Sequence, residues 1–146
     1  MPGAHGSRRK ALLALACGAL AVSFPAFGQD PRLSEAHSAG MAWLVLVDAD
    51  DVAGTYDSAA RRFHDAMPRE QWGQALQAAR DQFGKNLRRA IVSIQPSSGT
   101  PTTPGEFVVM VFRSEFEKRP DAVETLTLER EADGKWRWPA TSCADV

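Results

Sequence analysis

Several groups of side chains in this sequence have types and spacings that could carry chemistry. Tyr56, Asp57 and His64 bring a phenol, a carboxylate and an imidazole into nine residues, which is the equipment of proton transfer. On one continuous helix Asp57 lies roughly 100° round from Tyr56, and His64 shares the face of Tyr56 but sits about 12 Å along the axis. That is too far for a hydrogen bond. The spacing favours Tyr56 as a core residue with a satisfied hydroxyl, and no residue is assigned a catalytic role. Asp48-Ala49-Asp50-Asp51 is the densest acidic run. It lacks the further oxygen ligands, the turn glycine and the closing glutamate of a calcium loop, so it reads as helix capping. His37, His64 and Cys143 are too scattered for zinc, which wants three or four ligands at recognisable spacing. Neither a metal nor another cofactor is expected. Trp43 and Trp72 lie on apolar stripes and read first as core residues; with Tyr56 and His64 they are also the candidate lining of a ligand pocket. Trp136 and Trp138 stand two residues apart and share one face of the last strand. If that strand is cut short, they mark an interface. Arg88-Arg89 and Lys118-Arg119 read as solvated edges. No glycine-rich phosphate loop, serine elbow or CxxC pair occurs.

Those side chains belong to a chain of 146 residues, enough for one domain. Residues 1–28 read as a removable export leader. Arg8, Arg9 and Lys10 precede an uncharged apolar stretch, residues 11–22, which is well short of the ~20 apolar residues a membrane-spanning helix needs. Ala26-Phe27-Gly28 supplies small residues where a signal peptidase reads, so cleavage would free Gln29. The general secretory route fits better than the twin-arginine one, although Arg8-Arg9 resembles its signal. The leucine of Ala14-Leu15-Ala16-Cys17 is one place off a lipoprotein box. Without the leader the chain has 14 basic and 18 acidic residues, a balance that argues against a nucleic-acid partner. Only Cys143 remains, so no internal disulfide is expected. The destination is the periplasm or the exterior, with no membrane-spanning segment in the mature chain.

Residues 29–138 read as one α+β domain, and residues 139–146 as an irregular tail. Ser34 is the expected cap of a first helix carrying Ala36, Gly40, Trp43, Leu44 and Val47 at helical spacing. A second helix places Val52, Tyr56, Ala59, Ala60 and Phe63 along one stripe and ends at Met67-Pro68. A third carries Trp72, Leu76, Ala79 and Phe83, with Gly84 as its C-terminal cap. The period then changes to two. Residues 87–95 form a strand, residues 96–105 a Ser/Thr/Pro/Gly loop, and residues 107–112 a strand apolar enough to be buried on both faces. Residues 123–130 turn Leu126 and Leu128 inward. Asp133-Gly134 signals a hairpin, and Pro139 cuts short the strand begun by Trp136-Arg137. The layout is three N-terminal helices packed on a curved antiparallel sheet of three to four strands, the last truncated.

The order and spacing of Ala42-Trp43-Leu44-Val45-Leu46-Val47-Asp48, Tyr56-Asp57-Ser58-Ala59-Ala60, Glu70-Gln71-Trp72, Glu106-Phe107-Val108-Val109, Val123-Glu124-Thr125-Leu126-Thr127-Leu128 and Gly134-Lys135-Trp136-Arg137 resemble an uncharacterised family of exported bacterial proteins, the domain of unknown function 4019. The resemblance implies export and a compact α+β domain with a nuclear transport factor 2-like, cystatin-like cone. It implies no activity. The chain departs from the family's pattern after Arg137, where a hydrophobic-aromatic run gives way to Trp138-Pro139-Ala140-Thr141-Ser142.

The function expected from these residues is a non-catalytic periplasmic module that binds a small apolar ligand or a protein partner. Two alternatives stand beside it. One is a small proton-transfer enzyme using Tyr56 with an acidic residue or His64 in a pocket between helices and sheet. The other is a structural component of an envelope complex. Protein recovered from the cell envelope is expected to begin at Gln29. Intact-mass measurement checks this, and a species that keeps residues 1–28 would contradict the leader reading.

Overall fold

A computed structural model describes residues 30–139. The expected leader, Cys17, Cys143 and all of the expected tail but Pro139 lie outside the described residues. Helix α1, Pro31–Asp48, starts one turn earlier than Ser34 would place it, because the Asp30 carboxylate accepts the Arg32 N–H at 3.0 Å and proline occupies the first turn. It stops at the acidic run. Asp50 adopts a left-handed backbone (φ 56), and Asp51 caps the next helix by accepting the Gly54 N–H at 2.8 Å.

The expected second helix is two short ones, α2, Val52–Asp57, and α3, Arg61–Ala66. The break has a tertiary cause. Ala60 is extended (ψ 153), fully buried, and donates its N–H to the Trp138 carbonyl at 2.8 Å rather than to the helix. Helix α4, Arg69–Phe83, follows Pro68 and ends at Gly84, whose φ of 75 is left-handed. A Cβ there would lie 2.8 Å from the Glu117 side chain.

Four strands then form an antiparallel meander in the order β1-β2-β3-β4. They are β1, Asn86–Thr100; β2, Thr103–Phe116; β3, Arg119–Arg130; and β4, Trp136–Arg137. The loop expected at residues 96–105 is instead the end of a long hairpin that turns at Pro101-Thr102. Pro96 is tolerated because β1 is an edge strand. A bulge between Ile91 and Ser93 shifts the alternation of β1. Arg89, Ile91 and Ile94 therefore lie across from Ser114, Phe112 and Met110, the buried side of β2. The central strand is not buried on both faces. Val108, Met110 and Phe112 are at most 1% exposed, whereas Val109 and Val111 on the other face are half-buried. The helices cover one face only. Among the described residues no helix is long and apolar enough to cross a membrane.

Two devices seat the helices. Gly40 lets α1 lie close on the sheet, since a Cβ there would meet the Met110 methyl at 2.4 Å and Leu126 at 3.1 Å. At the α2–α3 end an aromatic cluster fills the core. Trp138 stacks on Trp43 at 4.5 Å between ring centres, and Phe63 meets Trp72 edge-on at 5.3 Å. Thr55, fully buried, holds both helix tryptophans. Its carbonyl accepts the Trp43 indole N–H at 3.1 Å and its hydroxyl accepts that of Trp72 at 2.9 Å. Thr55→Val keeps the shape and orphans the Trp72 donor, so urea unfolding should show a loss of about 1–3 kcal/mol. Thr55→Ser keeps the oxygen and should lose about 1 kcal/mol. Equal losses in the two variants would show that the bond to Trp72 contributes nothing.

Candidate functional site

Tyr56, His64, Trp43 and Trp72 do come together, in one packed aromatic cluster. The break between α2 and α3 folds His64 back beside Tyr56, with the rings 4.7 Å apart and Nε2 2.6 Å from the Tyr56 carbonyl. This corrects the 12 Å separation expected of one helix. The Tyr56 hydroxyl donates to the Met67 carbonyl at 2.7 Å, so the phenol is spent on a turn and does not meet the imidazole. Asp57 points elsewhere and pairs with Arg69. The tryptophans are 9% exposed at Trp43 and 6% at Trp72 inside the filled cluster. Trp136 and Trp138, expected to be open at a short strand, are 7% and 6% exposed. With Trp43 they line a groove of about 280 Å³ along β4. The strand is short, and the chain beyond it turns into the core. Among the described residues no group of three or more histidine, cysteine or acidic side chains is placed to hold a metal ion.

The pocket lies at the opposite end, where α4 runs past the C-terminus of α1 and over the sheet. Its cause is visible along the α4 stripe. Trp72 and Leu76 are 6% and 7% exposed, but Ala79 is exposed and Phe83 only half-buried, because nothing fills the space beneath them. The cavity measures about 140 Å³ and is walled by Val47, Leu76, Ala79, Phe83, Phe116 and Ala122. Within its wall the Phe83 and Phe116 rings stand 5.5 Å apart. A larger hollow of about 380 Å³ near the start of α1 is a polar groove, edged by the ion pairs of Arg32 with Asp30 and Glu106.

One wall of the cavity is charged. Arg89 was expected in solvent, yet its side chain is 7% exposed. Its Nε and Nη2 donate to the two oxygens of Glu124 at 2.6 and 3.0 Å. Its Nη1 and Nη2 donate to the two oxygens of Asp48 at 2.7 and 3.1 Å. Ser114 lies directly across from Arg89 on the intervening strand. Its small side chain lets the guanidinium reach over β2 to Glu124 on β3, and its hydroxyl also donates to Glu124. Burial works against the charge of Arg89, but the hydrogen bonds to Glu124 and Asp48 outweigh it, and the pKa is held above the ordinary arginine value. A second arginine, Arg80 of α4, closes the back. It pairs with Asp50 at 2.8 Å and donates to the terminal α1 carbonyls of Val47 and Asp48 at 3.2 and 3.0 Å. The acidic run is thus divided: Asp48 meets Arg89, Asp50 meets Arg80, and Asp51 caps α2.

Fold and site together define a small α+β domain with helices on one sheet face, a packed aromatic end and a hollow end with a salt-bridged wall. The chain belongs to the family described as protein of unknown function (DUF4019), whose model matches residues 39–140. The match starts partway along α1 and covers every residue named in the wall of the cavity. No curated protein matches the sequence.

Removing one partner of a buried ion pair leaves an uncompensated charge behind. Arg89→Met should therefore lower stability by about 3 kcal/mol, near the bottom of the usual range because Asp48 is 34% exposed. Arg89→Met combined with Glu124→Gln should recover at least half of that loss in urea unfolding. No recovery would mean that Arg89 acts by packing alone.

Proposed function

We propose that this chain is an exported, non-catalytic binding module whose hollow end receives one small apolar group. The observation that carries the reading is an apolar cavity walled on one side by a salt-bridged polar network. Ligand sites are concave, mostly apolar and provided with a few fixed polar groups. An apolar cavity of about 150 Å³ holds a molecule the size of benzene, and this one measures about 140 Å³. The leader at residues 1–28 supports a place of action in the periplasm or outside the cell.

The proton-transfer alternative has less support. Ser114 and Glu124 are a hydroxyl and a carboxylate in contact, but Ser114 is 1% exposed and out of reach of a substrate. Glu124 also holds Arg89 with both oxygens, so taking a proton would dismantle the ion pair. Tyr56 and His64 face no cavity. A role as an envelope component draws on a different observation: β1 is an open edge with Leu87 60% and Val92 64% exposed.

Titration of ¹⁵N-labelled protein with benzene tests the pocket. Amide shifts should concentrate at Leu76, Ala122 and Glu124. They should vanish in Ala122→Leu, which fills the cavity from the sheet side with little change in stability. Shifts that persist in Ala122→Leu, or none in the unsubstituted protein, would remove the basis of the reading.

A further inference from the structure

We infer that the ligand of the hollow end is a small organic cation, an amine carrying a single apolar ring or short chain, whose ammonium rests on Asp48 and Glu124. The inference rests on reading the cavity as a ligand site and adds the chemical class of what enters it.

The halves of each ion pair differ in exposure. The side chain of Arg89 is 7% exposed, whereas those of its partners Asp48 and Glu124 are 34% and 19% exposed. The carboxylates are the more accessible part of this wall. The oxygens also have room. Each carboxylate oxygen can accept about two hydrogen bonds. Glu124 Oε2 is filled by Arg89 and Ser114, but Glu124 Oε1 and both oxygens of Asp48 accept one each, all from Arg89. Three acceptor positions are left for a donor, which matches the three hydrogens of a primary ammonium.

Asp48 is the last residue of α1, so the negative end of that helix faces this wall. Among the nearby cations, Arg80 is held by Asp50 and the α1 carbonyls, and Lys118 Nζ donates to the Asp81 carbonyl at 2.7 Å, while Arg119 lies over the Phe83 ring of the cavity wall at 5.7 Å. A carboxylate ligand would be repelled by the same wall, and a neutral one would leave the acceptors unused.

Benzylamine, benzyl alcohol and benzoate share one ring and differ in head-group charge, so affinities measured by NMR titration at neutral pH test the inference. Benzylamine should bind about tenfold tighter than benzyl alcohol, and benzoate should bind weakest. Added salt should erode the advantage of the amine and leave the alcohol unchanged. Asp48→Asn should remove most of the amine's advantage while the alcohol still binds, which also shows that the variant is folded. If it does not fold, the salt dependence of the unsubstituted protein decides. Benzyl alcohol or benzoate binding as tightly as benzylamine would overturn the cation inference and leave the pocket reading intact. Failure of all three, and of benzene, would overturn both.

Discussion

Arg89 is the constraint on which the hollow end depends. A guanidinium cannot be stripped of water inside a protein unless carboxylates replace that water. Here they come from two different elements, Asp48 at the end of α1 and Glu124 on β3. Fixing them fixes the distance between helix and sheet. The span of the arginine across β2 also requires a residue as small as Ser114 in between. With helix and sheet propped apart by this triad, α4 cannot settle lower, and the space beneath Ala79 and Phe83 remains. The cavity is a consequence of where the charges are held.

The opposite end solves the same packing problem with aromatic bulk. Trp43, Phe63, Trp72 and Trp138 interlock, and both helix indoles hand their N–H groups to Thr55. The chain beyond β4 contributes Trp138 to this cluster and its carbonyl to Ala60, so the sheet's last turn closes the helix layer from below. Dispersion and apolar burial hold this end, and directed ion pairs hold the other. The asymmetry explains why the expected pocket around Tyr56 and His64 is full while a space opens elsewhere.

Much of the frame was legible in the sequence. The stripes of α1 and α4, the glycine that ends α4, the inward turn of Leu126 and Leu128 and the Asp133-Gly134 turn all follow from local pattern. What escaped notice depends on partners far along the chain. Nothing local ends a helix at Ser58, because the group that captures the Ala60 amide belongs to Trp138. The bulge after Ile91 depends on how β1 is drawn against β2. The site itself had left a trace. Adjacent strand residues point to opposite faces, so with helices on one face, one member of Arg88-Arg89 had to turn inward. An inward arginine requires acids across the sheet, and Glu124 was available among the alternating residues of β3.

The energetics of that triad bear on why it is there. A buried ion pair is seldom the most stabilising way to fill a core, and apolar residues of similar volume do as well or better. Selection for stability alone would favour closing the hollow end as the aromatic end is closed. A charged wall is instead suited to discrimination, since a carboxylate left with unused acceptors rejects a ligand that cannot satisfy it. Because Asp48 and Glu124 are already anchored by Arg89, they lose little freedom when a ligand arrives, and preorganised groups bind at lower entropic cost. Under the proposed binding reading, the stability forgone at the hollow end would return as selectivity, with Arg89 acting through the two acids it positions.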